Sequence, residues 1–400
     1  MSDIVRRLGC ALLLLLPLVA AALPPPDPEA IALGALIFRD ASLSASGRQS
    51  CASCHDPGHA HAPANALAVQ AGGADLQVPG FRAVPSLRYL DTRAFFFAAD
   101  GTPTAGFDRD GRAPSLMAQA ERPFLAPHEM ANADAAAVAQ RLSRAPYADR
   151  FRAVFGADVF ADPELAFLAA RFAIAQYETY APEFRPYSSK FDRFLRGKQA
   201  LSTPELRGFA LFNRPDKGNC AACHVSTRQP DGSPAVFTDY TFDNLGVPRN
   251  AEIPATADAG YFDLGLCGPD RADLTSRTDL CGQFKVPTLR NVATRAAFFH
   301  NGKFHTLADA LRFYVRRDTD PTQFYPLAAD GSVQKFDDLP PTLRGNVNTD
   351  EVPYDRKPGQ APRLSEAEIA DVVAFLQTLT DGYDAATDTA EPARDVAPLD

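Results

Sequence analysis

One short motif occurs twice in the sequence and constrains this chain more than any other feature. It reads Cys51-Ala-Ser-Cys54-His55 in the first half and Cys220-Ala-Ala-Cys223-His224 in the second, and Cys-x-x-Cys-His is the attachment sequence of a c-type haem. Two thiols bond to one porphyrin and the adjacent imidazole binds its iron. The alternative, one zinc site made from both cysteine pairs, would give neither histidine a reason for its position. We therefore predict two covalently attached c-type haems, with His55 and His224 as iron ligands.

The composition is that of a globular protein. Its 400 residues suggest two or three domains, and a hydrophobic content of 46% supplies a sizeable core. The formal net charge of −9 argues against nucleic acid and anionic membrane surfaces as partners. An acidic surface of this kind suits a basic protein partner.

The first 22 residues read as a secretory signal peptide. Arg6 and Arg7 precede an apolar run from Ala11 to Ala22, and we expect cleavage after Ala22. The run is too short to span a membrane as a helix. Export agrees with c-type haem, which is attached outside the bacterial cytoplasm. We therefore predict a periplasmic protein without a membrane span.

The seven cysteines sort into three groups. Cys10 leaves with the signal peptide, and four cysteines belong to the haem motifs. Cys267 and Cys281 remain, 14 positions apart in a loop rich in Gly and Asp. In an oxidising compartment we expect them to form a disulfide, which would contribute about 3 kcal/mol by closing a loop of that size. The alternative is a pair of free buried thiols.

The sequence predicts an all-α fold with long polar loops. Pro163–Tyr180 has apolar residues at helical spacing, and shorter helices are expected over Glu29–Phe38 and Thr203–Phe212. Thr203 would cap the last of these, with a proline in its first turn. The segment Ser365–Glu368 reads as a capping box ahead of a further apolar stripe. No set of alternating strands is evident.

Comparison of the chain with itself indicates an internal duplication. Four segments recur in the same order, which is improbable for chance matches between short apolar runs. The pairs are Gly34–Phe38 with Gly208–Phe212, Phe81–Arg88 with Phe284–Arg290, Arg93–Phe97 with Arg295–Phe299, and Asp110–Arg112 with Asn301–Lys303. We predict haem domains over 23–185 and 186–382, joined by a hinge at Arg185–Gly197. The acidic residues from Asp381 on are expected to be disordered, and 383–400 form an acidic tail.

The sixth ligand of the second haem is restricted by the scarcity of methionine. Met117 and Met130 both lie in the first half, so the second haem has no Met within its own domain. This removes the His/Met ligation of high-potential electron-transfer haems. The candidates that remain are His300, His305 and Tyr314. A tyrosine phenolate would stabilise ferric or higher iron, whereas the alternative for Tyr314 is a packing role.

The first haem lacks a comparable donor. Alignment of the two halves sets Tyr314 against Pro123, which cannot bind iron. Gln119, His128 and Glu129 lie near Pro123 in the sequence. A carboxylate and an amide beside an open iron would form a peroxide site, because the carboxylate can take a proton from peroxide and return it to the departing oxygen. The alternative is a solvated loop with ordinary charges.

His59 and His61 follow the first motif closely, four and six residues past His55. At that separation neither side chain is expected to reach the opposite face of the haem. We interpret both as contacts to a haem propionate or to the surface.

At these residues the chain resembles the bacterial di-haem cytochrome c peroxidase/MauG family, in its MauG-like or MbnH-like branch. The resemblance covers about residues 28 to 380 and includes both haem motifs. Its other markers are Asp110–Ala113, Gln119 with Glu129-Met130, Phe284–Asn291 and Phe299–Gly302. It implies a peroxidase made of two cytochrome c-like helical domains, with the active site near their junction.

The resemblance also implies roles for individual residues. Gln119, Pro123 and Glu129 match the catalytic residues on the open side of the peroxide-reactive haem, which His55 would hold. Tyr314 matches the sixth ligand of the second haem, where cytochrome c peroxidases have Met. Tyr at this position resembles MauG, which stores two oxidising equivalents across both haems and oxidises residues of a partner protein. MbnH-like relatives act on tryptophan in a copper-binding partner.

Two departures from the family pattern concern the space between the haems. The family has a Trp before Asp-Gly-Arg as an electron relay, whereas this chain has Arg109 there and no Trp at all. Candidates for the relay are Arg109 itself and nearby Phe107. Ala83 replaces the Asn that binds an inter-haem calcium, which puts that calcium in doubt. No His occurs between His61 and His128, so the histidine that closes the reactive haem in many peroxidases is lacking.

The function expected from these features is that of a periplasmic di-haem peroxidase. It would use hydrogen peroxide to reach a high-valent di-haem state and would then oxidise a protein partner. One alternative is a cytochrome c peroxidase that reduces peroxide with electrons from a small cytochrome, and another is a di-haem electron carrier without catalysis. Tyr314 and the scarcity of Met favour the first function over the second. An open iron beside Glu129 disfavours the carrier.

Overall fold

The computed structural model describes residues 25–386, which form a predominantly helical chain with long loops. The predicted signal peptide (1–22) and residues 387–400 of the predicted tail lie outside the described residues. Within residues 25–386, no helix has the length and apolar character that a bilayer span requires.

The fold combines helices with very short strands. The helices are α1 Pro28–Arg39, α2 Cys51–Cys54, α3 Leu116–Gln119, α4 Glu121–Leu125, α5 Ala135–Leu142, α6 Ala148–Phe155, α7 Pro163–Tyr180, α8 Lys190–Leu195, α9 Thr203–Asn213, α10 Leu307–Arg316 and α11 Glu366–Gln377. The antiparallel strand pairs are β1 Ala71–Gly72 with β2 Val78–Pro79, β3 Phe96–Phe97 with β4 Pro103–Thr104, and β5 Phe242–Asp243 with β6 Phe284–Lys285. The all-α prediction is therefore wrong in part, because two-residue strands are too short to show an alternating pattern.

The core of the first half is built on α1 and α7. A Cβ at Gly34 of α1 would collide with the carbonyl oxygen of Ala173 in α7, so the two helices touch at their backbones. The predicted helix Pro163–Tyr180 is confirmed at both ends. Its small residues are buried, whereas Leu165 and Leu168 are 47% and 39% exposed. Close approach to α1 therefore selects the alanine face of α7 rather than its leucines.

The core of the second half repeats this arrangement with α9 and α11. A Cβ at Gly208 of α9 would collide with the carbonyl oxygen of Asp371 in α11. The predicted helices are both present, and the capping box at Ser365–Glu368 is confirmed. The cap of α9 is Ser202 rather than the predicted Thr203. The same kind of close helix contact thus organises both halves, and the internal duplication stays a prediction.

The segment Arg185–Gly197, predicted as the hinge between the halves, contains α8. Ser189 and Asp192 form a capping box at its start. Phe191 is fully buried in the second core, and Asp192 accepts hydrogen bonds from Arg290 at 2.9 and 3.0 Å. The segment is therefore anchored to the second half and does not act as a free linker.

Ion pairs join the two halves beside a disulfide-closed loop. Arg82 of the first half donates to Asp263 of the second at 2.5 and 2.7 Å, and to Asp110 at 2.7 Å. The loop that carries Asp263 contains the disulfide Cys267–Cys281, whose Cα atoms lie 5.1 Å apart. The pairing agrees with the prediction for the two cysteines outside the haem motifs.

The end of the described chain also ties the halves together. The carboxylate of Asp381 accepts hydrogen bonds from the Tyr89 hydroxyl and the Asn291 amide, both at 2.7 Å, and from Arg88 at 3.2 Å. Its side chain is only 3% exposed. The expected disorder from Asp381 on is therefore wrong at this residue, because charged and polar partners distant in sequence order it.

Candidate active site

Each haem motif ends in a histidine whose Nδ1 faces a backbone carbonyl. His55 Nδ1 lies 3.3 Å from the carbonyl oxygen of His61, and His224 Nδ1 lies 3.0 Å from that of Phe237. Burial lowers the pKa of both histidines, which favours the neutral imidazole. A neutral ring that donates from Nδ1 keeps Nε2 available for a metal. Both side chains therefore have the tautomer that iron binding through Nε2 requires.

Two adjoining cavities open onto these histidines. His55 and both cysteines of its motif line the first cavity, and His224 and its two cysteines line the second. Pro85, Asp108 and Arg109 line both cavities and so form the wall between them. The two motifs therefore meet at the junction of the halves.

The first cavity contains all three residues predicted to be catalytic. Gln119 closes α3, Pro123 lies within α4, and Glu129 follows α4 in a turn, and each lines the cavity that holds His55. Gln119 Nε2 donates a hydrogen bond to Asp108 at 3.4 Å, which orients its amide. Pro123 presents no donor to a metal. The cavity thus offers one carboxylate and one amide to a small molecule.

His128 lies closer to Glu129 than sequence reasoning suggests. Adjacent side chains on a regular segment point apart, but here His128 Nε2 lies 3.5 Å from Glu129 Oε1. Both residues line the first cavity. The His128 ring also packs edge-on against Phe81, with centroids 4.7 Å apart. The irregular turn after α4 is what brings the imidazole and the carboxylate together.

The second cavity is lined by Tyr314, which α10 presents to the space around His224. Burial, together with Asp243 and Cys223, raises the pKa of the Tyr314 phenol. The phenol is therefore neutral in an apolar pocket, and a bound ferric ion would supply the charge that displaces its proton. Tyr314 therefore shares a cavity with His224, and its role as the sixth ligand stays a prediction.

His300 and His305, the other candidate sixth ligands of the second haem, lie in different surroundings. His300 lines the second cavity, but its ring is stacked on Phe284 with centroids 3.7 Å apart. His305 is more exposed and pairs with Glu252 at 3.1 Å, and it is not among the residues that line either cavity. Of the three candidate ligands, Tyr314 and His300 therefore share the cavity of His224, and His305 does not.

Arg109 lies between the cavities, where the resemblance predicts an electron relay. Its Nε donates to the Ala83 carbonyl at 2.7 Å. This carbonyl belongs to the residue that stands at the expected calcium position, so a guanidinium already occupies that neighbourhood. Phe107, the other candidate for the relay, is buried in a small apolar cluster with Leu116 and does not line either cavity.

The buried cations at this junction suit the carboxylate groups of a haem. Burial lowers the pKa of Lys285 to about 8, of Arg109 to about 9 and of Arg295 to about 10. All three side chains line the second cavity, and Arg109 lines the first as well. Buried cations need anionic partners, and the propionates of a haem supply them. Each cavity therefore combines cysteines, a neutral imidazole and nearby cations that suit a c-type haem.

Some residues of the site were not identified from sequence. His61 was interpreted as a propionate or surface contact, but its side chain is fully buried against Phe184, and its carbonyl faces His55. His59 is exposed and pairs with Asp56. Glu178 of α7 lines the first cavity although no motif marks it. These contacts join residues by packing, which local spacing does not reveal.

Comparison with known proteins identifies the family of this chain. The family model described as di-haem cytochrome c peroxidase matches residues 28–200. The methylamine utilization protein MauG of Paracoccus denitrificans is 35% identical over 390 residues, which cover 94% of this chain and 95% of that protein. The chain belongs to the di-haem cytochrome c peroxidase family. It is therefore an oxidoreductase of the peroxidase type with two c-type haems.

Other family members share the fold and the length. The cytochrome c551 peroxidase of Nitrosomonas europaea is 32% identical over 303 residues, covering 72% of this chain and 74% of that protein. The crystal structure of the diheme peroxidase BthA from Burkholderia thailandensis superposes with a TM-score of 0.82 and 39% sequence identity. That match covers 90% of this chain and 88% of BthA. The family fold therefore extends across both halves described above.

Proposed function

We propose that this peroxidase uses hydrogen peroxide to oxidise a partner protein, in the manner of MauG. The observation that carries the proposal is the contrast between the cavities: Tyr314 faces the second, whereas the first has Pro123 in the matching place and a carboxylate nearby. A phenolate ligand favours ferric and higher iron, so it suits storage of oxidising equivalents better than acceptance of electrons from a cytochrome.

The residues of the first cavity support peroxide chemistry. A haem bound at His55 would supply the electrons that cleave the O–O bond. Glu129 would take the proton from the inner oxygen of peroxide and return it to the outer oxygen, which leaves as water. Gln119 would orient the peroxide by donating from its amide, because an amide does not titrate in this range. His128 is the rival base, and at 3.5 Å it can exchange a proton with Glu129.

The residues of the second cavity support storage of the second oxidising equivalent. Tyr314 would hold the iron at His224 as an anionic oxygen ligand, and Arg109 would relay charge between the two haems. Tyr354 stacks on Tyr314 with centroids 6.3 Å apart and donates to Asp243 at 2.8 Å. This arrangement keeps the phenol in an ordered position while an electron leaves.

The setting of the reaction is proposed from the same family. We propose export to the periplasm, because c-type haem is attached outside the bacterial cytoplasm. The relatives include proteins named for methylamine utilization and for cytochrome peroxidase activity, so both a protein substrate and a cytochrome donor are compatible with the fold. The chemistry at Tyr314 favours the protein substrate.

The test distinguishes oxidation of a partner protein from cytochrome c peroxidase activity by the lifetime of the peroxide-oxidised form. The ferric holoprotein is mixed with one equivalent of hydrogen peroxide, and its absorption spectrum is followed with and without a reduced small c-type cytochrome. We expect an oxidised form that persists in the absence of reductant and supports little turnover with the cytochrome. Rapid peroxide consumption at the expense of the cytochrome would instead establish the cytochrome c peroxidase alternative.

A further inference from the structure

A buried acid lies in the first cavity and has no role in the chemistry described above. Glu178, near the end of α7, is only 4% exposed and lines the cavity together with His55 and Cys51. Within residues 25–386, its buried Oε2 has no hydrogen-bond partner. A carboxyl placed in this way is costly unless it is neutral, so its burial calls for an explanation.

The second half provides a matched comparison for this residue. The helix contact at Gly34 involves Ala173 and Tyr177, and the contact at Gly208 involves the corresponding residues of α11, Asp371 and Phe375. The next residue is Glu178 in α7 and Leu376 in α11. Leu376 lines the second cavity, as Glu178 lines the first. The same place beside each haem site thus holds an acid in one half and a hydrocarbon in the other.

We propose that Glu178 is a redox-linked proton group of the first haem site, releasing its proton when one electron is withdrawn from that site. The electron goes to the oxidant, which is peroxide in the proposed reaction and an electrode mediator in the test. The O–H bond of the carboxyl breaks, and the proton passes through the cavity to solvent. The carboxylate that remains offsets the positive charge gained at the iron.

The surroundings of Glu178 favour a protonated carboxyl that can lose its proton when the haem site is oxidised. Burial raises the pKa of this carboxyl to about 8, and Arg185 opposes the shift. Arg185 is directed elsewhere, since it donates to the Glu178 carbonyl at 3.0 Å and pairs with Asp91. An added positive charge at the iron would lower the pKa again, so oxidation and proton release are coupled.

Several charged groups of the first half have partners of their own or border solvent. Cys51 of α2 becomes an uncharged thioether when the haem is attached. Glu129 lies in the turn after α4 and is 38% exposed at the side chain, so it borders the solvent path of the cavity. On the helices that pack against α7, Arg39 of α1 pairs with Glu183, and Arg141 of α5 donates to Asn132.

The inference requires haem at the first motif but not the proposed oxidation of a partner. Its test therefore uses neither peroxide nor a partner protein, and its failure would leave the proposed function untouched. Conversely, a cytochrome c peroxidase with this cavity would show the same proton coupling. The consequence for either function is that the first site becomes easier to oxidise as the pH rises.

The experiment is redox potentiometry of the holoprotein, followed at the absorption bands of the first haem from about pH 5 to about pH 10. We expect the reduction potential to fall as pH rises, with a limiting tenfold change in the electron-transfer equilibrium constant per pH unit, which is 59 mV for one electron. Glu178→Gln should remove this slope. The second haem, beside Leu376, should show the same pH dependence in both proteins.

A matched variant and a second measurement keep the test decisive. Glu205→Gln removes another buried carboxyl, which pairs with Lys190 away from the cavities, and should leave the slope intact. If Glu178→Gln fails to bind haem, infrared difference spectra of the native protein decide. With carbon-13-labelled glutamate, we expect a shifted band of a protonated carboxyl that disappears on oxidation. A slope retained in Glu178→Gln, or no glutamate band, would overturn the proposal.

Discussion

The two cavities are built on the same scaffold and differ in a few side chains. In each half a histidine Nδ1 faces a backbone carbonyl, and a hydroxyl near the junction donates to another carbonyl at 2.6 Å, from Ser86 in the first half and Thr288 in the second. The differences are Pro123 against Tyr314 and Glu178 against Leu376. A shared backbone frame therefore carries two different sets of cavity-lining side chains.

The difference between the cavities lies in side chains rather than in the backbone. The backbone carbonyls that orient His55 and His224 do not depend on side-chain identity, so both halves can keep them. The side chains that face the cavity are free to vary, and they decide whether a sixth ligand, a proton or a small molecule is present. Substitutions at these positions should convert one environment toward the other.

The largest effect is expected from Tyr314→Phe, which would remove the proposed sixth ligand and make the second site resemble the first. Electron paramagnetic resonance of the ferric native protein should show one high-spin and one low-spin haem. The variant should show high-spin signals from both, because a phenyl ring cannot bind iron. Tyr354→Phe is the matched control, since Tyr354 stacks on Tyr314 without being the ligand, and should keep the low-spin signal. An unchanged low-spin signal in Tyr314→Phe would move the ligand to His300.

The next effect concerns the acid–base role that the first cavity has and the second lacks. Glu129→Gln should retain both haems and the ferric spectra while slowing the reaction with peroxide by about 10²–10⁴-fold, the usual contribution of general acid–base catalysis. Stopped-flow mixing with hydrogen peroxide measures this rate. His128→Ala should lose much less, despite the 3.5 Å contact between the two side chains. The reverse order of effects would assign the proton transfer to His128.

The last prediction concerns stability rather than chemistry and tests how firmly the second half is held. Arg290 has a fully buried guanidinium whose carboxylate partner is Asp192. Asp192→Ala would leave that charge uncompensated and should destabilise the fold by about 3–5 kcal/mol. Asp216→Ala breaks an exposed pair with Arg214 and should cost only about 0–1 kcal/mol. Denaturant unfolding followed by circular dichroism measures the free energy of unfolding of both variants. Equal losses would show that the pair of Asp192 with Arg290 contributes no more than an exposed pair.

Much of the secondary structure was predictable because its signals are local. The long helix Pro163–Tyr180 and the capping box at Ser365–Glu368 agree with the structure. The anchoring of α8 was not predictable in the same way, since it depends on Phe191 in the core and on the distant Arg290. The strands were not predicted, because each has only two residues and shows no alternating pattern.

The candidate site also contains features that the sequence predicted and features that depend on packing. The presence of Gln119, Pro123 and Glu129 in one cavity agrees with what the family resemblance implies, whereas their catalytic roles stay predictions. The contact between His128 and Glu129 depends on an irregular turn, which no periodic pattern describes. Glu178 was missed because α7 reaches the cavity only through its packing on α1.

The sequence by itself predicted the two haem attachment sites and identified the family. Covalent attachment depends on the spacing of two cysteines and a histidine within five residues, and that spacing is readable without a fold. The tertiary structure alone decided which carbonyls orient His55 and His224, that Arg109 lies between the cavities, and that Glu178 is buried beside the first. These facts depend on contacts between segments far apart in the chain, and such contacts follow from helix packing and long-range ion pairs rather than from local residue patterns.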